Sequence, residues 1–338
     1  MTLLENDQVS HARWKMVYTI SMKKILVTGS TGQIGSELVS ALRSRYGEEH
    51  VITLHSRKGH GPEGPNAEII DVTDAEALGR VFNKYQIGIV YHLAALLSAT
   101  GEKDPSRAWD VNMAGLKNVL DLSVASKVEK VFWPSSIAAF GPDTQKKLAP
   151  QDAALRPSTM YGVTKVAGEL LCNYYFTKYG LDVRSVRYPG LISHAAEPGG
   201  GTTDYAVAIF YEALKEKRYT CFVRSTTVLP MMFMDDAIRA TMEIMDAEKE
   251  RIKVRTSYNL AGLSFSAEEL AAAITKRMPG FTCDYEPDFR QKIADSWPES
   301  IDDGQARTDW GWAPKYDLDA LVDTMLTELA KKLHIPPA

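Results

Sequence analysis

Tyr161 and Lys165 stand four residues apart, a spacing that puts both side chains on one face of a helix. A phenol beside an ammonium group has its ionised form favoured, so it can accept a proton near neutral pH. The same spacing recurs at Tyr174–Lys178 and Tyr211–Lys215. Only Tyr161 has a partner in the right place: Ser135 and Ser136 follow a strand-like run at 130–134, at the C-terminal sheet edge where α/β sites form. A serine hydroxyl there would hold a substrate oxygen beside Tyr161. The other two pairs are expected on solvated helix faces.

A second constellation is Gly29, Gly32 and Gly35, set between the strand-like run KKILVT and a helical pattern. Glycines there permit a tight turn and close approach of backbone to a pyrophosphate, whose charge the helix N-terminus stabilises. About 20 residues further on, a NAD site usually places an acid on the ribose hydroxyls. This chain has His55, Ser56 and Arg57 at that point. Arg57 would meet the 2′-phosphate of NADP, whereas His55 or Ser56 would serve the ribose hydroxyls of NAD; spacing leaves both open. Asp71, followed by Val72, ends a third strand-like run and is placed either to meet an adenine amino group or to enter a helix.

The elements that must position these residues alternate. Apolar β-branched runs at 25–27, 51–54, 68–70, 87–94, 130–134 and 182–187 predict strands. Between them lie helical patterns: one opened by a Thr73–Glu76 capping box and running to about Tyr85, one from Asp104-Pro105 to about Ala125, and one over 159–179. Strands alternating with helices at this interval predict an α/β fold, a Rossmann-type doubly wound parallel sheet. After Gly190 the rhythm breaks into a loop at 193–201, a helix carrying Ala206, Ile209 and Leu214, and a helix opened by Ser266 and Glu269. The expected division is an N-terminal leader at 1–21, a dinucleotide-binding domain at 22–190, a smaller C-terminal α/β substrate-binding lobe at 191–330 with segments returning to the main sheet, and a tail at 331–338.

Composition narrows the function classes. Of 338 residues, 45% are apolar and 24% charged, ordinary for a soluble globular protein, and a net charge of −4 gives no pull toward nucleic acid or acidic membranes. No apolar stretch approaches the roughly 20 residues needed to span a bilayer. Cys172, Cys221 and Cys283 are too few and too scattered for a disulfide framework or zinc site, and no cysteine pair accompanies His55 and His60. No metal site is expected. The leader carries His11, Arg13 and Lys15 but also Glu5 and Asp7 ahead of Met22, so a targeting segment, a disordered leader and an upstream start all remain open.

GSTGQIG at 29–35, HLAA at 92–95, PSSIAAFGP at 134–142, YGVTK at 161–165 and RYPG at 187–190 resemble the extended short-chain dehydrogenase/reductases. Within that superfamily, AALLSA at 94–99, RYPGLIS at 187–193, PGGGTTDYAV at 198–207, LPMMFMDDAIRAT at 229–241, IADSWP at 293–298 and DWGW at 309–312 resemble the short-chain L-threonine 3-dehydrogenases. The resemblance spans about residues 22 to 330. It implies NAD as cofactor and L-threonine as substrate, its 3-hydroxyl oxidised to a ketone. By analogy, Tyr161 would take the hydroxyl proton, Lys165 would bind the nicotinamide ribose and lower the Tyr161 pKa, and Ser136 would bond the reacting oxygen. The cofactor motifs add Gln33, Ile34, Leu93, Ala94, Ala95, Asn112, Tyr188 and Pro189. Ser98, Gly200, Thr202, Thr203 and Trp297 fall in the substrate motifs.

Structural roles compete at three of these positions. Trp297 would otherwise be core, Ser98 the cap of a strand end, and Asn112 a contact to a neighbouring helix. The resemblance also implies a homodimer through the helices at 104–125 and 159–179, with Trp109, Met113, Leu116 and Leu120 as an apolar stripe. Location follows the source, mitochondrial matrix in eukaryotes and cytoplasm in bacteria; the matrix is the expectation here. A nucleotide-sugar epimerase or dehydratase is the nearest rival. It would need a basic grip on a pyrophosphate in the second lobe, where 193–235 offers glycine, threonine and tyrosine, with Lys215, Lys217 and Arg218 beyond a helix. A non-catalytic NAD(P)-binding regulator would tend to lose Tyr161 or Lys165, and both are present.

Overall fold

The computed structural model describes residues 23–56, 64–199 and 201–335. Arg57, Gly200 and the leader at 1–21 lie outside the described residues. Six parallel strands form the main sheet. Across it they run Ala67–Ile69, Val51–His55, Lys24–Thr28, Ile87–His92, Lys130–Phe132 and Asp182–Arg184. Counting these strands along the chain, the spatial order is third, second, first, fourth, fifth, sixth. The order reverses between Lys24–Thr28 and Ile87–His92, and a crevice opens at the carboxyl ends of these two strands.

Both faces of the sheet are covered. Ile25 and Val27 pack with Leu38, Leu42, Ala237 and Ile244, whereas Leu26 between them packs with Leu78, Leu116, Val119 and Cys172 on the opposite side. Alternate residues of one strand thus enter two different cores, which is why the strands read as unbroken apolar runs. The helix Met234–Asp246, from the second half of the chain, lies on the first face beside Gln33–Tyr46. This helix of the second half thus packs against the main sheet. A third core gathers Tyr205, Phe210, Leu229, Phe265, Leu270, Leu321 and Met325. The helix Leu318–Leu333 runs three residues into the expected tail.

Several local expectations change. The expected strand at 182–187 is two strands: Asp182–Arg184 in the main sheet, and Val186–Tyr188 in a small sheet with Ser135–Ser136 and Tyr258–Asn259. The cap of helix Ala75–Tyr85 is Asp74, which accepts from the Ala77 N–H, while the Thr73 hydroxyl donates to Asp71 at 2.8 Å. The Ser266–Glu269 capping box forms as expected.

The long helix after Asp104 is interrupted. Pro105–Trp109 passes through one wide π-type turn at Asp110–Ala114 into Gly115–Ala125. The extra residue in that turn rotates the faces on either side relative to one another, and the expected stripe is covered at one end only. Leu116 and Leu120 are fully buried, Met113 is half-buried and Trp109 is exposed.

Candidate active site

The glycine turn is shaped to bring another molecule close to backbone. Gly29 has φ of +67°, and a Cβ there would lie 2.6 Å from the Ala94 nitrogen; one on Gly35 would lie 2.2 Å from the Gly29 carbonyl oxygen. Gly32 precedes helix Gln33–Tyr46, which has neither a side-chain cap nor an acid in its first turn. Its leading N–H groups are therefore left for an anion. This arrangement fits a pyrophosphate. Gly29→Val is expected to abolish detectable dinucleotide binding in a calorimetric titration; retained affinity would show that the turn does not face the ligand.

Two cavities meet at this turn, sharing Gly29, Gly32, Leu93 and Ala95. The first, about 740 Å³, is also lined by His55, Ser56, Asp71, Val72 and Ala94. The second, about 230 Å³, collects Gln33, Ile34, Gly35, Ser98, Ser136, Tyr161, Lys165, Tyr188, Pro189, Thr202, Thr203 and Trp297. Together they form one cleft that gathers the expected cofactor and substrate residues. Among the described residues expected in the site, only Asn112 lines neither cavity. It is buried, bonds the Leu96 N–H and carbonyl, and donates to the Thr164 hydroxyl at 3.1 Å. It therefore holds the loop that forms the cleft wall and ties it to the catalytic helix. Trp297 is both buried and cavity-lining, so its two readings are compatible. Ser98 opens the short helix Ser98–Lys103 rather than capping a strand.

Helix Met160–Tyr179 carries the reactive pair. Thr159 caps it through the Gly162 N–H, which sets Tyr161 in its first turn and Lys165 one turn on. The Lys165 Nζ donates to the Pro134 carbonyl at 2.6 Å and lies 4.5 Å from the Trp133 ring centroid and 5.4 Å from that of Tyr161. Burial pushes the Lys165 amine down to about 7, against opposing effects of Cys172 and Glu169. Burial pushes the Tyr161 phenol up to about 12, opposed by a hydrogen bond with Ser136. The two causes acting on the Tyr161 phenol are burial and the Ser136 hydrogen bond. The amine is directed at Pro134, and its own burial disfavours the charge that would act on the phenol. The Ser136 bond is what favours the phenolate here.

The two discounted pairs lie elsewhere. Tyr174 is exposed as expected, but Tyr211 is buried in the core of the second half rather than on a solvated face, with Lys215 5.6 Å from its ring centroid; neither pair lines the cleft. Residues that the sequence reading passed over also line the cleft: Arg107 and Val111 in the larger cavity, and Asp204 in the smaller. Asp204 accepts from the Gly201 N–H at 2.8 Å, which braces the turn ahead of Thr202 and Thr203. The only sequence signal for it was its place in the TTD run.

The model of the NAD dependent epimerase/dehydratase family matches residues 25–261. The chain belongs to this family. An uncharacterized epimerase/dehydratase of Staphylococcus haemolyticus is 49% identical over 92% of this chain and 99% of its own length. The GalE-like L-threonine dehydrogenase of Cupriavidus necator, solved in its holo form, is 52% identical; the match covers 90% of this chain and 99% of that one, with a TM-score of 0.89. A monomeric L-threonine 3-dehydrogenase from a metagenome is 50% identical over 91% of this chain and 99% of its own, with a TM-score of 0.88.

As a member of this epimerase/dehydratase family, the chain is an NAD-dependent oxidoreductase of the extended short-chain type, with the parallel sheet its sequence predicts. The expected matrix location draws no support from bacterial relatives such as these. Among the described residues, no helix is long and apolar enough to cross a membrane, and no group of three or more His, Cys, Asp or Glu could hold a metal ion.

Proposed function

We propose that the protein oxidises the 3-hydroxyl of L-threonine to 2-amino-3-ketobutyrate. The carrying observation is the size and lining of the smaller cavity. At about 230 Å³, shared with the nicotinamide half of the cofactor, it leaves room only for a compact substrate, and Lys165 is the only Lys or Arg among its described lining residues. A nucleotide-sugar would bring a second pyrophosphate needing basic partners. The candidates for that task are directed elsewhere: Arg218 pairs with Asp284 at 2.7 Å, and neither Lys215 nor Lys217 lines the cavity. Similarity to L-threonine dehydrogenases at about half identity along nearly the whole chain supports the same reading.

In this reading Gly29, Gly32 and the first turn of helix Gln33–Tyr46 hold the NAD pyrophosphate, and Lys165, Tyr188 and Pro189 face the nicotinamide half. Bound NAD supplies a hydride acceptor. Ser136 and Tyr161 take the substrate hydroxyl between them, and Tyr161 receives its proton. Ser98, Thr202, Thr203 and Trp297 hold and enclose the rest of the substrate, Gly200 being the further member of that set. Hydroxyls suit the ammonium and carboxylate groups, because each such hydrogen bond is short and charge-assisted. His55 and Ser56 face the adenosine ribose and Asp71 and Val72 the adenine, with Leu93, Ala94 and Ala95 as the cleft wall.

The test is growth of NADH absorbance with purified protein, L-threonine, and NAD or NADP in parallel. Turnover is expected with NAD. No turnover with either cofactor would falsify the threonine reading.

The core around Tyr205, Phe265 and Leu321 supports a substrate lobe within 191–330, with Ile137, Phe140 and Ala149 of the cofactor domain at 22–190 joining that core. We further propose a homodimer. Val163, Leu170 and Tyr174 share one exposed face of helix Met160–Tyr179, and Trp109 is exposed on the neighbouring helix. Sedimentation equilibrium is expected to give twice the chain mass, with Leu170→Asp shifting it to the monomer. A monomeric mass for the wild type would remove this proposal.

A further inference from the structure

The adenine end of the cleft contains an ion pair in which Asp71 is expected from the sequence and Arg107 is not. Arg107 Nη2 lies 2.6 Å from Asp71 Oδ2, and both residues line the larger cavity. Arg107 is the only Arg or Lys, and Asp71 the only acid, among its described lining residues. Arg107 is fixed at both ends: the Asp104 side chain accepts from its backbone N–H at 3.0 Å, and Asp71 holds its guanidinium. Its side chain remains 47% exposed, so protein does not cover the whole planar group. Leu54, Ile70, Val72, Leu93 and Val111 form the apolar remainder of the wall.

The bonding of Asp71 leaves a vacancy. Oδ1 already accepts from the Thr73 N–H at 3.0 Å and the Thr73 hydroxyl at 2.8 Å. Oδ2 accepts from Arg107, and an ionised carboxylate oxygen offers about two lone-pair sites. The set is an apolar wall, a pinned flat cation and one open acceptor. Its complement is a flat π-system bearing an amino group. A phosphate is a poorer complement, because Asp71 already offsets the Arg107 charge and would repel an anion beside it.

We infer that Arg107 is a cofactor-binding residue that lies on the face of the adenine ring, held there by Asp71, whose Oδ2 takes the ring's amino group. The inference rests on NAD as cofactor and not on the identity of the substrate. Because the ion pair pre-orders the guanidinium, little rotamer freedom is lost when the ring arrives.

Calorimetric titration with ADP-ribose, without substrate or turnover, tests this in the full chain. Arg107→Ala is expected to weaken ADP-ribose about 3- to 30-fold, the range of a partly desolvated cation–π contact. Arg107→Lys should recover part of the loss, and binding of nicotinamide mononucleotide and the ligand-free unfolding midpoint should not change. Three results would overturn the inference: unchanged ADP-ribose affinity, an equal loss for nicotinamide mononucleotide, or a loss confined to the 2′-phosphorylated analogue of ADP-ribose.

Discussion

Tyr161→Phe is expected to cut turnover of L-threonine with NAD by about 10²–10⁴-fold, the range lost with a positioned proton acceptor. NAD affinity and the unfolding midpoint should remain at their wild-type values. The substitution removes one oxygen, and that oxygen is where substrate, Ser136 and the phenol meet. The ring stays, so packing against the buried partners of helix Met160–Tyr179 is kept. Steady-state kinetics beside a calorimetric titration separates the two effects. A variant that lost NAD affinity as much as rate would show Tyr161 to be a binding residue only.

The direction of the pH dependence follows from the same group. The proton acceptor is the phenolate, and burial places the Tyr161 pKa above neutral, at about 12. Turnover should therefore rise with pH from about 7 to about 9 as the ionised fraction grows. Ser136 donates the hydrogen bond that opposes this rise in pKa. Ser136→Ala is then expected to lower the rate at every pH in that range and to move the profile toward higher pH. A pH-independent rate in the wild type would mean that a step other than proton transfer is limiting, and a Ser136→Ala rate equal to that of the wild type across this range would remove the Ser136 role.

What the sequence made legible was set by short-range physics. Strands buried on both faces leave continuous apolar runs, as in Ile25–Leu26–Val27, and the turn at Gly29 needs a residue free to adopt positive φ. Tyr161 and Lys165 could be placed because one helix carries both. Features fixed by partners far along the chain left no such mark. Arg107 enters the site through Asp71, 36 residues away. Local competition hid another feature: the Thr73–Glu76 pattern looks like a capping box, but Thr73 bonds Asp71, Glu76 pairs with Arg80 at 2.7 Å, and Asp74 takes the cap, all within four residues. The wide turn at Asp110–Ala114 accommodates Asn112, whose amide grips the Leu96 backbone, and nothing in the local sequence announces it. The end of helix Met234–Asp246 is closed by Arg184, which donates to the carbonyls of Ile244 and Ala247 at 2.6 Å each. From sequence, Arg184 reads only as one polar residue in a strand.

The largest expected effect on stability falls on a pair of this kind. Glu169 lies one turn beyond Lys165, and its carboxylate accepts from Arg187 Nε at 2.8 Å and Nη2 at 2.7 Å. The Ser135 hydroxyl donates to the same carboxylate at 2.6 Å, and Arg187 Nη1 donates to the Gln151 carbonyl and the Asn259 side chain. Ser135 and Arg187 are also register partners in the small sheet. The pair therefore fastens the strand bearing Ser136 and the strand leading to Tyr188 and Pro189 onto the catalytic helix. Both charged side chains are more than nine-tenths buried. Arg187→Leu leaves the Glu169 carboxylate without its counter-charge in a dry interior and should cost about 3–5 kcal/mol, measured as urea unfolding of the ligand-free protein. Adding Glu169→Leu removes the stranded charge as well, so the double variant is expected to be more stable than Arg187→Leu alone. A double variant no better than the single would mean that the cost came from the lost bonds to Gln151 and Asn259. The ion pair would then be incidental to how the catalytic helix is held.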